Sequence, residues 1–268
     1  MKKLIAILFI PLVMFSACTE DDSTNNGENT EPTVPPSSTM APDLSSFNDD
    51  SAAGERTALI GNWGYAALNV GIYTGILYKH LVVPVTAYQV TVGTKGYYNE
   101  ETDLWIWEKN FDIPTKGSYS VKLTASVEGD DVDWKGYISQ SGEIDGFVWF
   151  TGESKVGGES GSWSLYESPE EPTVWLTSEW TAEDDSDMAT ATFTVEKEGD
   201  NMGSSIKYES DESAELDRIV TIYDASLDNE VVVMWNQTQA YGRVMSEAHF
   251  EDTEYHCWNT DLIDTDCE

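Results

Sequence analysis

The sequence predicts a mainly β fold, with one N-terminal helix at about 57–81 packed on a curved antiparallel meander of 11–12 strands, half-barrel or barrel-like. Three observations carry the prediction. From residue 100 onward apolar and polar side chains alternate with a period of two. Turn-forming runs rich in Gly, Asp and Asn interrupt the alternation at short, regular intervals. The connections are too short to hold crossover helices, so neighbouring strands should pair antiparallel.

The helix comes first. From Thr57 to Tyr78 the chain carries no charge, and Leu59, Trp63, Ala67, Val70, Tyr73, Leu77 and Leu81 recur at three- and four-residue steps. Gly61, Gly64, Gly71 and Gly75 weaken its intrinsic propensity but allow close backbone approach. Pro84 should end or kink it. The uncharged stretch has the length of a membrane span, but Asn62 and Asn69 inside it favour a helix buried against a sheet.

The strands follow. Trp105, Trp107, Lys109, Phe111 and Ile113 alternate with Ile106, Glu108, Asn110 and Asp112. Tyr119, Val121, Leu123, Ala125 and Val127 alternate with Ser118, Ser120, Lys122, Thr124 and Ser126, one dry face and one wet. Similar runs lie at about 132–140, 143–152, 160–167, 173–182, 188–198, 203–210, 217–225, 230–238 and 241–247, with Tyr255 to Trp258 as a possible twelfth. A twisted sheet of that many strands curls, splits or closes, and its concave face is the natural cover for one apolar helix. At the level of architecture alone, helix plus meander resembles the half-barrel of the LolA/LolB lipoprotein carriers, which have more than one helix.

Before the folded body the chain changes character. Lys2 and Lys3 precede an apolar stretch from Leu4 to Met14, and Phe15-Ser16-Ala17 leads into Cys18. This segment resembles a bacterial lipoprotein signal peptide, and the resemblance implies cleavage after residue 17 and acylation of Cys18; an ordinary secretory signal is the alternative. Thr19-Glu20-Asp21-Asp22-Ser23 resembles the acidic surface-export signal of Bacteroidota lipoproteins. That resemblance implies an outer-membrane protein, anchored by lipid and facing the cell exterior; an ordinary acidic linker on a periplasm-facing lipoprotein is the alternative. Residues 18–54, rich in Ser, Thr, Pro and acids, read as a flexible tether, and 55–268 as a single β-rich domain.

Charge bounds the partners. Asp and Glu total 49 against 14 Lys and Arg, a net charge of -35, which excludes a nucleic-acid binder. Of the three cysteines, Cys257 and Cys267 remain once Cys18 carries lipid, and in an oxidising compartment they are expected to pair. Closing that loop constrains the unfolded chain by roughly 3 kcal/mol.

Candidate sites are few. Trp105, Trp107 and Trp175 could stack on sugar rings or line an apolar cavity, although aromatics also stabilise strand pairs without any ligand. Acidic turns could hold calcium, with Asp261, Asp264 and Asp266 the best placed because the disulfide would stiffen them; no EF-hand spacing is present. No nucleophile elbow or metalloprotease motif appears, and no cofactor is implied. The sequence therefore favours a non-catalytic, lipid-anchored module binding a glycan or a partner protein. A carrier or sensor of an apolar ligand is the alternative, and a surface glycan hydrolase the third. A continuous apolar cavity between helix and sheet would favour the carrier; a dry interface would favour the module.

Overall fold

The computed structural model describes residues 30–42, 44, 47, 61–183 and 187–267; the leader with Cys18 and the acidic run 184–186 lie outside them. Helix α1 (Asn62–Thr91) is followed by β1 (Tyr97–Asn99), β2 (Leu104–Ile113), β3 (Gly117–Glu128), β4 (Asp131–Gln140), β5 (Ile144–Lys155), β6 (Ser160–Tyr166) and β7 (Val174–Glu183). Then come β8 (Asp187–Val195), β9 (Ser205–Ser210), β10 (Arg218–Asp224), β11 (Asn229–Trp235), β12 (Gly242–Met245), a one-turn helix α2 (Glu247–Phe250), β13 (His256–Trp258) and β14 (Asp264–Thr265).

All 14 strands form one antiparallel sheet in sequence order, an open curved meander with β1 and β14 at its edges. The count exceeds the expected 11–12 because β1 and β14 are three and two residues long, too short to show a period. Alternation sets the buried face over much of the sheet, although Ile106 beside Trp107 and Trp149 beside Phe150 are buried on both faces. On β3, Tyr119, Val121, Leu123 and Ala125 are buried as their spacing requires.

Curvature has a local cause on that face. Gly136 pairs across strands with Phe150, Gly152 with Trp163, Gly161 with Trp180, and Gly242 with Trp258. A Cβ at any of these glycines would overlap the ring opposite, so the ring lies flat over bare backbone. Glycine opposite an aromatic is a recurrent device for bending a sheet without losing packing. The rings then meet side by side: Trp107 to Trp134 at 5.5 Å, Trp134 to Trp163 at 6.3 Å and Trp163 to Trp180 at 5.4 Å.

Helix α1 differs from its expected bounds. It runs 30 residues, through Pro84 to Thr91, about 45 Å at the standard rise. Proline removes one hydrogen bond and crowds the preceding turn. Burial of Leu81, Val83, Val85, Ala87 and Tyr88 around it holds the helix against that cost. Thr57 to Leu59 lie outside the described residues. Among the described residues, no helix is long and apolar enough to cross a membrane.

The start of α1 is fixed by the far end of the chain. Asn62 N donates to Asp264 Oδ1 at 2.7 Å, and Asn62 Nδ2 to the Cys257 carbonyl at 2.9 Å. Gly61 offers no side-chain cap, so a carboxylate from β14 takes that role at the positive end of the helix. Cys257 and Cys267 form a disulfide, Cα atoms 5.3 Å apart, that closes this tail. Beside it Tyr65 stacks on His249 and Phe250 on His256, at 3.8 and 3.7 Å between ring centres.

The largest departure lies at 30–47, expected as part of the tether. Met40 and Leu44 are buried, and Phe47 meets Trp235 edge-on at 4.9 Å. Thr39 anchors this strap: its Oγ1 accepts from Trp163 Nε1 at 2.9 Å, and its carbonyl from Ser178 Oγ at 2.9 Å. Thr33 N donates to the Val156 carbonyl at 2.9 Å. The sheet supplies hydrogen-bond partners that the composition alone cannot reveal.

Tyr88 closes the strap from the helix side, its hydroxyl donating to the Pro35 carbonyl at 2.6 Å. Burial pushes this phenol well above the ordinary tyrosine range, with the Thr39 contact opposing weakly. A raised folded-state pKa means that its stabilisation is complete below the ordinary range near pH ~10 and is lost as pH rises through the folded value. In an alkaline titration, ionisation of at least one phenol should therefore coincide with loss of the β circular-dichroism signal. All 13 tyrosines ionising while that signal persists would contradict the placement.

Candidate functional site: a cleft between helix and sheet

Helix α1 packs on β2, β3 and β4 and also on β12 and β13, near the two ends of the sheet. Between these two contact regions the sheet continues through β5 to β11, and a gap lies over its later strands. The strap fills part of the gap, with Ser37–Thr39 against β7 and β8. The remainder is a cleft of about 620 Å³ under Asn69 and Ile72 of the helix. That volume lies within the usual range for small-molecule sites.

Its floor is apolar. Leu176, Phe193, Ile206, Ile222 and Val231, from five successive strands β7 to β11, are all buried side chains that line it. The mouth is built by the chain leaving β6 and by the β8–β9 and β10–β11 hairpins, which bring Glu167, Lys197, Glu198, Asp200, Asp224 and Leu227 together. Ser204 Oγ accepts from Ala225 N at 3.0 Å and ties the two hairpins to each other.

The mouth also gathers exposed apolar residues. Leu227 is 73% and Ile72 49% exposed, and both line the cleft. Leu68, one helical turn before Ile72, and Met202, in the β8–β9 turn, are exposed as well. Concentrated apolar exposure beside a concavity marks a binding surface more than scattered exposure does.

The charges at the mouth are partly committed. Lys197 Nζ bonds both oxygens of Glu167 at 2.6 Å and reaches Glu171 Oε2 at 3.4 Å. Its hydrogen bond to Glu167 raises the lysine above its ordinary range, so it stays cationic at neutral pH. Asp224 Oδ1 accepts from Ser226 N, Ser226 Oγ and Leu227 N at 2.9, 2.6 and 3.2 Å and shapes its hairpin. Glu198 and Asp200 stand in the β8–β9 turn.

The sequence-derived candidates fall in different places. Trp175 is buried and lines the cleft. Trp107 is buried in the core and Trp105 packs between Tyr98 and Trp107, so neither belongs to the cleft. Asp264 caps α1, and Asp261 and Asp266 are exposed. Among the described residues, no group of three or more His, Cys, Asp or Glu side chains is placed to hold a metal, so the proposed calcium triad is not assembled. Cys18 lies outside the described residues. The floor residues were legible only as strand positions, whereas Leu227, an apolar residue inside a turn, was the available signal of the mouth.

Fold and cleft together define a class: an open curved antiparallel meander with a long helix packed on it and an apolar-floored site beside the first half of that helix. No family model matches the chain, and no curated protein or solved structure matches it.

Proposed function

We propose that this protein is a lipid-anchored envelope lipoprotein that binds a small apolar or amphipathic molecule non-catalytically in the cleft under α1. The cleft itself carries the reading: its floor of five buried apolar side chains opens to solvent through a mouth bearing Ile72 and Leu227. An apolar-floored cleft beside Asn69 and Ile72 of the helix favours the carrier or sensor over a module with a dry interface. Attachment through Cys18, with the body facing the cell exterior, rests on the lipobox and the acidic residues after it.

The test uses a neutral environment-sensitive dye, N-phenyl-1-naphthylamine, titrated with the purified chain. Saturable binding is expected. Asn229→Trp, which fills the mouth, and Ile72→Glu, which charges the helix side, should each weaken it at least about tenfold. Unsaturable binding, or binding by both variants as tight as by the unaltered chain, would refute the site.

A further inference from the structure

Resting on the cleft as a ligand site, we infer that its ligand class is a cationic amphiphile, with an apolar chain or ring system and an ammonium-type head held at the mouth. The floor selects only for apolar surface, so the mouth must set the polarity of the head. Four carboxylates line the cleft there, those of Glu167, Glu198, Asp200 and Asp224, against the single ammonium of Lys197.

That ammonium is already spent on Glu167 and Glu171. An anionic head, a fatty carboxylate or a phosphate ester, would have to break this pairing and would face the remaining acids. Like-charge juxtaposition of this kind rejects a ligand as effectively as a steric clash. A cationic head meets the opposite situation. Glu198 and Asp200 make no ion pair among the described residues, and their turn places both, exposed, at the rim of a concavity with an apolar floor. The chain's net charge of -35 adds a field that concentrates cations around the whole body.

The experiment displaces bound N-phenyl-1-naphthylamine from the purified chain with two competitors of one chain length, dodecyltrimethylammonium and dodecanoate, each below its micelle concentration. The cation should displace the dye at a concentration at least about tenfold lower than the carboxylate. In the Glu198→Gln/Asp200→Asn double variant, with each competitor read against that variant's own dye affinity, the ratio should fall towards parity. Raising salt should weaken the cation but not the dye, because the Debye length shortens below ~10 Å above 0.1 M. Equal displacement by the two heads, or a ratio untouched by the double variant, overturns the cationic assignment and leaves the cleft as a site. Absence of any dye binding overturns both.

Discussion

Trp163→Ala should lower the free energy of unfolding by about 3–5 kcal/mol, the largest loss expected of any single side chain here. Trp163 is 1% exposed and stands where sheet, helix and strap converge. Its ring packs on Trp180 at 5.4 Å, Tyr88 at 5.0 Å and Phe150 at 5.9 Å. Its Nε1 holds Thr39, so truncation opens a cavity and releases the strap together. Thr39→Val tests the second effect, together with loss of the bond from Thr39 Oγ1 to the Pro36 carbonyl at 2.7 Å. It leaves a buried indole N–H without its acceptor and should cost about 1–3 kcal/mol, whereas Thr39→Ser keeps the oxygen. Because both changes act on one contact, the double variant should lose less than the sum of the two. Urea unfolding measures all three, and a loss below about 1 kcal/mol for Trp163→Ala would contradict the convergence.

Gly161→Ala should be destabilising by about 1–3 kcal/mol, although it adds a single methyl group. That methyl would overlap the Glu153 carbonyl oxygen and the Trp180 ring, and the carbonyl belongs to paired backbone that cannot turn aside. Gly75→Ala gives the opposite sign. A Cβ there meets nothing within 4 Å, so the better helix former should stabilise α1 by up to about 1 kcal/mol. One substitution type, two signs, read by one thermal or urea series. A neutral Gly161→Ala would mean that the ring over it is free to move, and that the glycine–aromatic pairs do not hold the sheet's curvature.

The strands were legible because period two is imposed by the pleat itself, and Tyr119, Val121, Leu123 and Ala125 obey it, although Thr124 on the other face is buried too. The short edge strands were not, since three residues at Tyr97–Asn99 contain no period. Composition misreads the strap: Val34, Met40, Leu44 and Phe47 are too sparse among Pro, Ser and Thr to announce a core segment. What keeps it in place is hydrogen bonding supplied from residues more than a hundred positions away, such as Trp163 and Ser178. Pro84 failed as a stop signal for a related reason, because packing on both sides outweighs a local preference.

The cleft was the least legible feature. Phe193, Ile206, Ile222 and Val231 look like any other inward strand residues, and nothing in their spacing says that the helix stands off from them. The cleft is made by residues from the helix, five strands and two hairpins, a property of the assembled fold. Only residues that break the pattern, Leu68 and Ile72 off the buried stripe of the helix and Leu227 inside a turn, carried a trace of it.

The most direct measurement is native mass spectrometry of the full chain purified gently from its own host, compared with the same sample under denaturing conditions. The proposed function predicts an additional mass from an apolar or amphipathic compound that is lost on denaturation. That mass should be absent from the Asn229→Trp variant. A bare mass from the native chain, or an adduct retained equally by the variant, would contradict the cleft as the site of function.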